Sequence, residues 1–201
     1  MKKDYFAAKA GTYEQTRGRV DNVASIADAI RDEIRLETSM HIMDFGSGTG
    51  LLLERIAPYV GRITAVDVSA AMNAELRAKL GRLTCEVEIL PVDLERLDID
   101  RQFDGIVSSM TMHHIEDVAA MFRKFRRMLR HGGFIAIADL DQEDGTFHTE
   151  DTGIHHFGFV RTEIAKMAAD AEFERVHTRA ASVIRKDERE YPVFLLTAVR
   201  A

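Results

Sequence analysis

The chain has 201 residues, of which 46% are hydrophobic and 30% charged, and this composition supplies one well-filled core and excludes a disordered or fibrous chain. A formal net charge of −6 argues against a protein that binds nucleic acid by neutralising phosphates over a broad face. A lone cysteine, an N-terminus without the apolar core of a signal peptide and the absence of a membrane-length apolar run predict a soluble, cytoplasmic domain with no membrane partner.

Short apolar runs alternate with helical hydrophobic patterns from about residue 20 to residue 170, an order that predicts a parallel sheet. A helical stripe runs from Val23 to Ile34 and precedes the first predicted strand at residues 40–45. The next strands are predicted at residues 63–68, 85–90 and 103–109, with helices at 51–60, 69–80 and 118–129.

The fifth strand is predicted at residues 134–138, after two glycines. The polar stretch 139–158 is long for a connection and is typical of a lid or binding loop. A last helix at 161–170 precedes two β-rich runs, 173–184 and 193–199, whose short link permits only antiparallel pairing. The pattern predicts an α/β, three-layer sandwich in one domain, with five parallel β/α units and a C-terminal antiparallel hairpin.

The segment Asp44-Phe45-Gly46-Ser47-Gly48-Thr49-Gly50 follows the first strand, where ligands of open parallel sheets bind. Gly46 and Gly48 allow a sharp turn and a close approach of a ligand to the backbone, and Gly50 lets the next helix pack on the strand. Dinucleotide sites have GxGxxG spacing, whereas this turn has GxGxG. Asp44 would repel a pyrophosphate but would suit an ammonium group.

This segment resembles the (D/E)xGxGxG motif of the class I S-adenosylmethionine-dependent methyltransferases. Further segments match in order at residues 66–69, 91–94, 103–107 with 113–115, and 129–134. The resemblance covers residues 5–138 by motif and the remainder by element order. It implies a Rossmann-like sandwich with a seven-stranded, mostly parallel sheet. Its parts would be an N-terminal helical cover (1–38), a cofactor-binding core (39–140), and a lid loop, helix and terminal hairpin (141–201).

The resemblance implies that S-adenosylmethionine is the cofactor and S-adenosylhomocysteine its product. Asp44 and the Gly46 carbonyl would receive the methionine ammonium, and Ser47 and the backbone near Gly48 would surround the methionyl and ribose parts. The other implied cofactor residues lie at later strand ends or on the cover: Asp67 for the ribose hydroxyls, Asp93 for the adenine amino group, Val68 and Leu94 for the ring faces, Ser109 beneath the sulfonium, and Tyr13 near it.

The acceptor side of the site is predicted to hold histidines. His113 is the candidate catalytic residue, because a neutral imidazole can take a proton from a nucleophile near pH 7. The spacing of the lid histidines is not an established zinc pattern, so no metal is predicted. The residues expected to bind the substrate are Tyr5, His114, His148, His155 and His156.

The sequence therefore predicts in-line methyl transfer to a small-molecule acceptor. A nicotinamide-dependent oxidoreductase remains an alternative, since Asp67 suits that cofactor equally well, and so does a noncatalytic module that binds S-adenosylmethionine. The basic stripe at residues 123–130 lacks interleaved aromatics, and the fourth-strand loop lacks the motifs of DNA methylases, so no nucleic-acid partner is expected. A monomer or a homodimer is expected. The acceptor atom and the need for a general base stay open.

Overall fold

The computed structural model describes residues 4–148, 150 and 152–201. Its strands are β1 (His41–Phe45), β2 (Arg62–Val66), β3 (Glu86–Leu90), β4 (Phe103–Ser109), β5 (Leu129–Leu140), β6 (Glu174–Lys186) and β7 (Arg189–Val199). The α-helices are α1 (Arg17–Glu33), α2 (Leu51–Ile56), α3 (Ala70–Lys79), α4 (Val118–Met128) and α5 (Arg161–Asp170). Short 3-10 helices lie at Ala10–Gln15, Ala57–Tyr59, Leu80–Arg82 and Met112–His114.

The strands form one seven-stranded sheet in the order β3-β2-β1-β4-β5-β7-β6. Neighbouring strands from β3 to β5 are parallel, whereas β7 is antiparallel to both β5 and β6. This arrangement confirms the predicted mostly parallel, Rossmann-like sheet with an antiparallel C-terminal hairpin. The order reverses at β1, and β4 lies on its other side. The carboxyl ends of β1, β4 and β5 therefore lie side by side.

Helices cover both faces of the sheet, and each face has its own buried cluster of apolar side chains. α1, α2 and α3 pack on one face through residues such as Ile26, Leu53 and Leu76. α4 and α5 pack on the other, where Phe122 and Phe125 are fully buried. The charged residues of α4 lie opposite these phenylalanines, as the amphipathic sequence predicts.

The fifth strand begins at Leu129, earlier than the predicted residue 134. Leu129 pairs with Phe103 of β4, so pairing starts before the glycines. Gly132 has a positive φ of 76° and donates to the carbonyl of Arg200 at 2.7 Å. The glycines are therefore an irregularity inside the strand, held by the end of the chain, and do not mark its start.

Two segments rise above the carboxyl ends of the strands. The connection between β5 and α5 carries no helix in its described residues, and a single bridge joins Asp141 to Phe159. The β6–β7 hairpin stays paired out to Lys186 and Arg189 at its tip. Within the described chain, no helix is long and apolar enough to cross a membrane.

Candidate functional site

A cavity of about 730 Å³ lies at the carboxyl ends of β1 and β4. Its walls come from the glycine-rich turn, the end of β4 with the 3-10 turn after it, the start of α1, the long connection and the hairpin tip. Eight of the residues predicted from the sequence line it: Tyr13, Asp44, Gly46, Ser47, Ser109, His113, His114 and His148.

The glycine-rich turn has the backbone that its sequence predicts. Gly46, Gly48 and Gly50 have φ angles of 70°, 53° and 89°, a region that side chains disfavour. The Gly48 amide donates to Asp67 Oδ2 at 2.8 Å, which ties the turn to the end of β2. A Cβ on Gly50 would lie 2.6 Å from Leu76 of α3, so this glycine permits close packing. Gly48 and Gly50 shape the turn but do not line the cavity.

Asp44, at the end of β1, is only 1% exposed, and its Oδ2 has no hydrogen-bond partner among the described residues. Burial, together with the negative charge of Asp67, raises the pKa of Asp44 to about 7. The hydroxyls of Ser47 and Ser109 are also buried and unpartnered in the described chain. Native proteins rarely leave such atoms unpaired, so this end of the cavity suits a polar ligand with a cationic donor.

The start of α1 supplies site residues that sequence reasoning missed. The Arg19 guanidinium stacks on the Tyr13 ring, 4.5 Å from its centroid, and donates to the Tyr13 carbonyl at 3.2 Å. Burial raises the pKa of Tyr13. Asn22, one helical turn from Arg19, is buried, and its Oδ1 has no partner in the described chain. Helical periodicity predicted this helix from Val23, but the helix begins at Arg17, and the pattern gave no sign that its start meets the glycine-rich turn.

The residues predicted for ribose and adenine lie outside the cavity, at the ends of β2 and β3. The Asp67 carboxylate accepts hydrogen bonds from two backbone amides of its own chain. Val68 is 57% exposed, and Asp93 accepts from the amide of Glu95 at 3.0 Å. Leu94 is 1% exposed and belongs to the core. Its side chain therefore has almost no accessible surface for the predicted contact with the adenine ring.

His113 and Asp139 form a buried pair at the boundary of β4 and β5. His113 is 1% exposed and Asp139 is fully buried, with 2.7 Å between Nδ1 and Oδ1. Asp139 also accepts from the backbone amides of His113 and Leu140. Burial acts to raise the pKa of Asp139, but His113 and these hydrogen bonds outweigh it and lower that pKa. Asp139 thus favours the tautomer with hydrogen on Nδ1 and leaves Nε2 as the acceptor nitrogen.

His114 and His148 lie against this pair, with ring centroids 4.2 Å and 4.9 Å from that of His113. Burial, followed by the effect of His113, lowers the pKa of His114 to about 3 and that of His148 to about 4. Both imidazoles are therefore neutral near pH 7. The Nδ1 atom of His148 is 3.3 Å from the Thr152 hydroxyl, and its Nε2 is buried without a partner in the described chain.

The remaining predicted substrate residues do not line the cavity. His156 Nε2 is 2.9 Å from the carbonyl of Ile115, and His155 is exposed. Their backbone amides donate to the His113 carbonyl at 3.2 Å and 2.9 Å, so they fasten the long connection to the site. Tyr5 packs against Gly153. No cluster in the described residues could hold a metal ion.

The site also holds backbone strain that the sequence did not indicate. Met110, which follows β4 and lines the cavity, has a positive φ of 57°. Such strain in a residue other than glycine is uncommon and concentrates at functional sites. The Met110 amide donates to the carbonyl of Ala138 at 2.8 Å, which holds the chain in this conformation.

The sequence of the chain matches a family model and several known proteins. Residues 42–133 match the sequence model described as "Methyltransferase domain". An uncharacterized methyltransferase of Schizosaccharomyces pombe is 28% identical over 174 residues, which cover 77% of this chain and 61% of the relative. The ubiquinone/menaquinone biosynthesis C-methyltransferase UbiE of Coxiella burnetii is 26% identical over 176 residues, covering 84% and 62%. The chain thus spans about three fifths of the length of these relatives.

Among solved structures, the complex of DhpI with S-adenosylhomocysteine superposes with a TM-score of 0.74. The two chains are 21% identical, and the match covers 98% of this chain and 94% of the other. At that identity the likeness concerns the fold. Together with the sequence matches, it shows that residues 42–133 lie in a methyltransferase domain with a Rossmann-like fold.

Proposed function

We propose that this protein transfers the methyl group of S-adenosylmethionine to a small-molecule acceptor by in-line displacement. The observation that carries the proposal is the buried carboxylate of Asp44 beside the turn of left-handed glycines, since its Oδ2 has no hydrogen-bond partner among the described residues. Burying an ionised group is costly unless it is paired, and the ammonium of the methionine part is a suitable partner. The methyltransferase relatives support the same reaction class.

The residues of the inner cavity fit the polar groups of this cofactor. Asp44 and the Gly46 carbonyl would accept hydrogen bonds from the ammonium, and Arg19 would hold the carboxylate of the same methionine part. Ser47 and Ser109 would complete the polar contacts with hydroxyls that are unpartnered in the described chain. When bound, S-adenosylmethionine supplies a methyl group on a positively charged sulfur. The chain must then align the acceptor and exclude water.

His113 is the proposed proton acceptor for a nucleophile that must lose its proton. Asp139 holds hydrogen on Nδ1, so Nε2 carries the lone pair that can take the proton. The carboxylate of Asp139 would then stabilise the resulting imidazolium. His114 and His148 are neutral near pH 7, so neither places a positive charge beside His113 that would oppose its protonation.

A small acceptor fits the size and closure of the cavity. About 730 Å³ falls within the range of small-molecule sites. The long connection covers the outer end and is fastened to His113 by two backbone hydrogen bonds. The three-part division at residues 38 and 140, the cytoplasmic location and the monomeric or homodimeric state stay predictions.

Isothermal titration calorimetry with S-adenosylmethionine, S-adenosylhomocysteine and NADH tests the proposal. We expect both sulfur nucleosides to bind and NADH not to bind. Asp44→Asn should weaken binding of S-adenosylmethionine by roughly 10- to 100-fold, because a hydrogen bond to a charged group contributes ~1.5–3 kcal/mol. Asp170→Asn, an exposed acid at the end of α5, is the matched control and should bind as the wild type does.

Three results would change the conclusion. NADH binding without S-adenosylmethionine binding would make the protein an oxidoreductase. Binding of S-adenosylmethionine with no S-adenosylhomocysteine formed in any extract of candidate acceptors would favour the noncatalytic module. Undiminished affinity in Asp44→Asn would remove the observation on which the cofactor assignment depends.

A further inference from the structure

Two of the four cations that line the cavity are already neutralised by acids. Lys9 Nζ is 2.6 Å from a carboxylate oxygen of Glu150, and Arg185 Nε is 2.9 Å from a glutamate of β7. The other two lining cations are Arg19 and Lys186, and neither forms an ion pair in the part of the chain that the structure describes. A ligand that enters the cavity therefore meets two positive charges that no ion pair of the described residues neutralises.

Arg19 lies at the cofactor end. It stacks on Tyr13, whose pKa is raised in part by the negative charge of Asp67. The negative charge of Asp67 also raises the pKa of Asp44. Arg19 lines the same cavity as Asp44 and Gly46, and under the proposed function the carboxylate of the methionine part accounts for its charge. Lys186 then remains without an ion pair among the described residues, and the acid on which its charge acts, Glu150, is already paired with Lys9.

Lys186 lines the same cavity from a different element. It is the last residue of β6, at the hairpin tip, and its side chain is half-buried. Its ammonium donates to the Phe147 carbonyl at 2.8 Å and lies 5.8 Å from the centre of the Phe147 ring. An ammonium has three hydrogens, so two remain for a ligand.

The surroundings of Lys186 are built for an apolar body with an acceptor group. The rings of Phe6 and Phe147 line the same cavity. His148 adds a buried Nε2 that has no partner in the described chain, beside the buried Thr152. Apart from burial, His113, Lys186 and Lys9 lower the pKa of His148 and Asp139 raises it. A second acid, Glu150, lines the same cavity and is paired with Lys9.

Resting on the proposed function, we infer that the methyl acceptor is a small, ring-bearing molecule with an anionic group, and that Lys186 selects it. The acidic end of the cavity takes the cationic part of the cofactor, and the basic end takes the anionic part of the acceptor. The two ligands thus occupy regions of opposite charge. A carboxylate and a phosphate share the chemistry that this end recognises.

The test compares benzoate, phenyl phosphate and neutral benzamide by calorimetry on protein saturated with S-adenosylhomocysteine. At least one anion should bind about 10-fold more tightly than benzamide, and the tighter anion identifies the source of the charge. Lys186→Met should abolish this difference without changing the affinity for benzamide, and Lys186→Arg should restore it. Lys166→Met, which removes an exposed lysine of α5, is the matched control and should leave the difference intact.

A second readout needs no cofactor. In NMR titrations of the protein without cofactor, binding of an anion should raise the pKa of His148, whereas binding of benzamide should not. Equal affinities for anions and benzamide, no binding of any probe, or full discrimination in Lys186→Met would overturn the inference. S-adenosylhomocysteine binding is measured first. If it binds and the anions are not preferred, the inference alone fails, whereas its failure to bind contradicts the proposed function.

Discussion

At Gly46 the glycine-rich turn leaves no room for a Cβ atom. The backbone has a φ of 70°, and a Cβ built there would lie 2.1 Å from Oγ1 of Thr111. Gly46→Ala should therefore lower the free energy of unfolding by roughly 2–4 kcal/mol, as the sum of left-handed strain and overpacking. The variant should also lose binding of S-adenosylmethionine. Urea denaturation and calorimetry measure the two effects.

Gly132→Ala is the control for this substitution. Gly132 has a similar φ of 76°, but a Cβ there meets no atom within 4 Å. Its cost should be about 1 kcal/mol, which is the strain alone. Equal costs for the two variants would show that the contact with Thr111 does not constrain the turn.

Single residues were predictable where one local segment carries the whole signal. Asp44 and its glycines follow a strand directly, so the motif and its place in the fold coincide. Arg19 and Asp139 were missed because each acts through an element distant in sequence. Leu94 was assigned to the cofactor from its position after β3, but sequence does not show which neighbours bury a side chain.

Among the elements, the 3-10 turn Met112–His114 depends on β5 for its position. Asp139 accepts from the His113 amide at 3.2 Å, from His113 Nδ1 at 2.7 Å and from the Leu140 amide at 2.7 Å. Asp139→Asn should release the His113 tautomer and reduce the free energy of unfolding by about 1–3 kcal/mol, since buried partners are left unpaired. Long-range ¹H–¹⁵N correlation spectra report the tautomer.

Asp144→Asn removes an exposed acid from the connection that follows β5 and should leave the His113 tautomer unchanged. Together, the unfolding and tautomer measurements distinguish a structural role of Asp139 from a role in positioning His113. A loss of stability with an unchanged tautomer would assign Asp139 to structure alone. Changes in both, with affinity for S-adenosylmethionine kept, would match the positioning of His113 for proton transfer.

Hydrophobic patterns predicted the strands and helices themselves, because each helix buries a regular stripe of side chains and the central strands are short apolar runs buried almost continuously. They failed at the extent of the hairpin. Residues 185–190 are charged and were predicted to be a link, but they pair as strand up to Lys186 and Arg189. Backbone hydrogen bonds hold this tip independently of hydrophobic burial, so periodicity contains no signal for it.

For the whole molecule, Asp44 links pH to stability and to cofactor binding. Its pKa in the folded protein is about 7, against 3.8 for the free side chain. Because the folded-state value is raised, the stability contributed by this group is present below about pH 4 and is lost as pH rises to about 7. Asp44→Asn should be the more stable protein at pH 8, by up to roughly 4 kcal/mol, in thermal denaturation without ligand.

The same group should release a proton when S-adenosylmethionine binds below pH 7, because the ammonium requires the ionised carboxylate. Calorimetry in buffers of different ionisation enthalpy should give about one proton released at pH 6 and close to none at pH 8. Proton release that does not vary with pH would contradict this role. The apparent affinity should rise between these two pH values.

The position of the hairpin tip in the sequence has a consequence for the evolution of substrate specificity. The matched family segment ends at residue 133, whereas Phe147, His148 and Lys186 come later in the chain. Under the proposed function, mutations that retune recognition of the acceptor fall in stretches on which the glycine-rich turn does not depend. The residues of the cavity that bind the acceptor can therefore diverge in sequence while the residues that bind the methyl donor are kept.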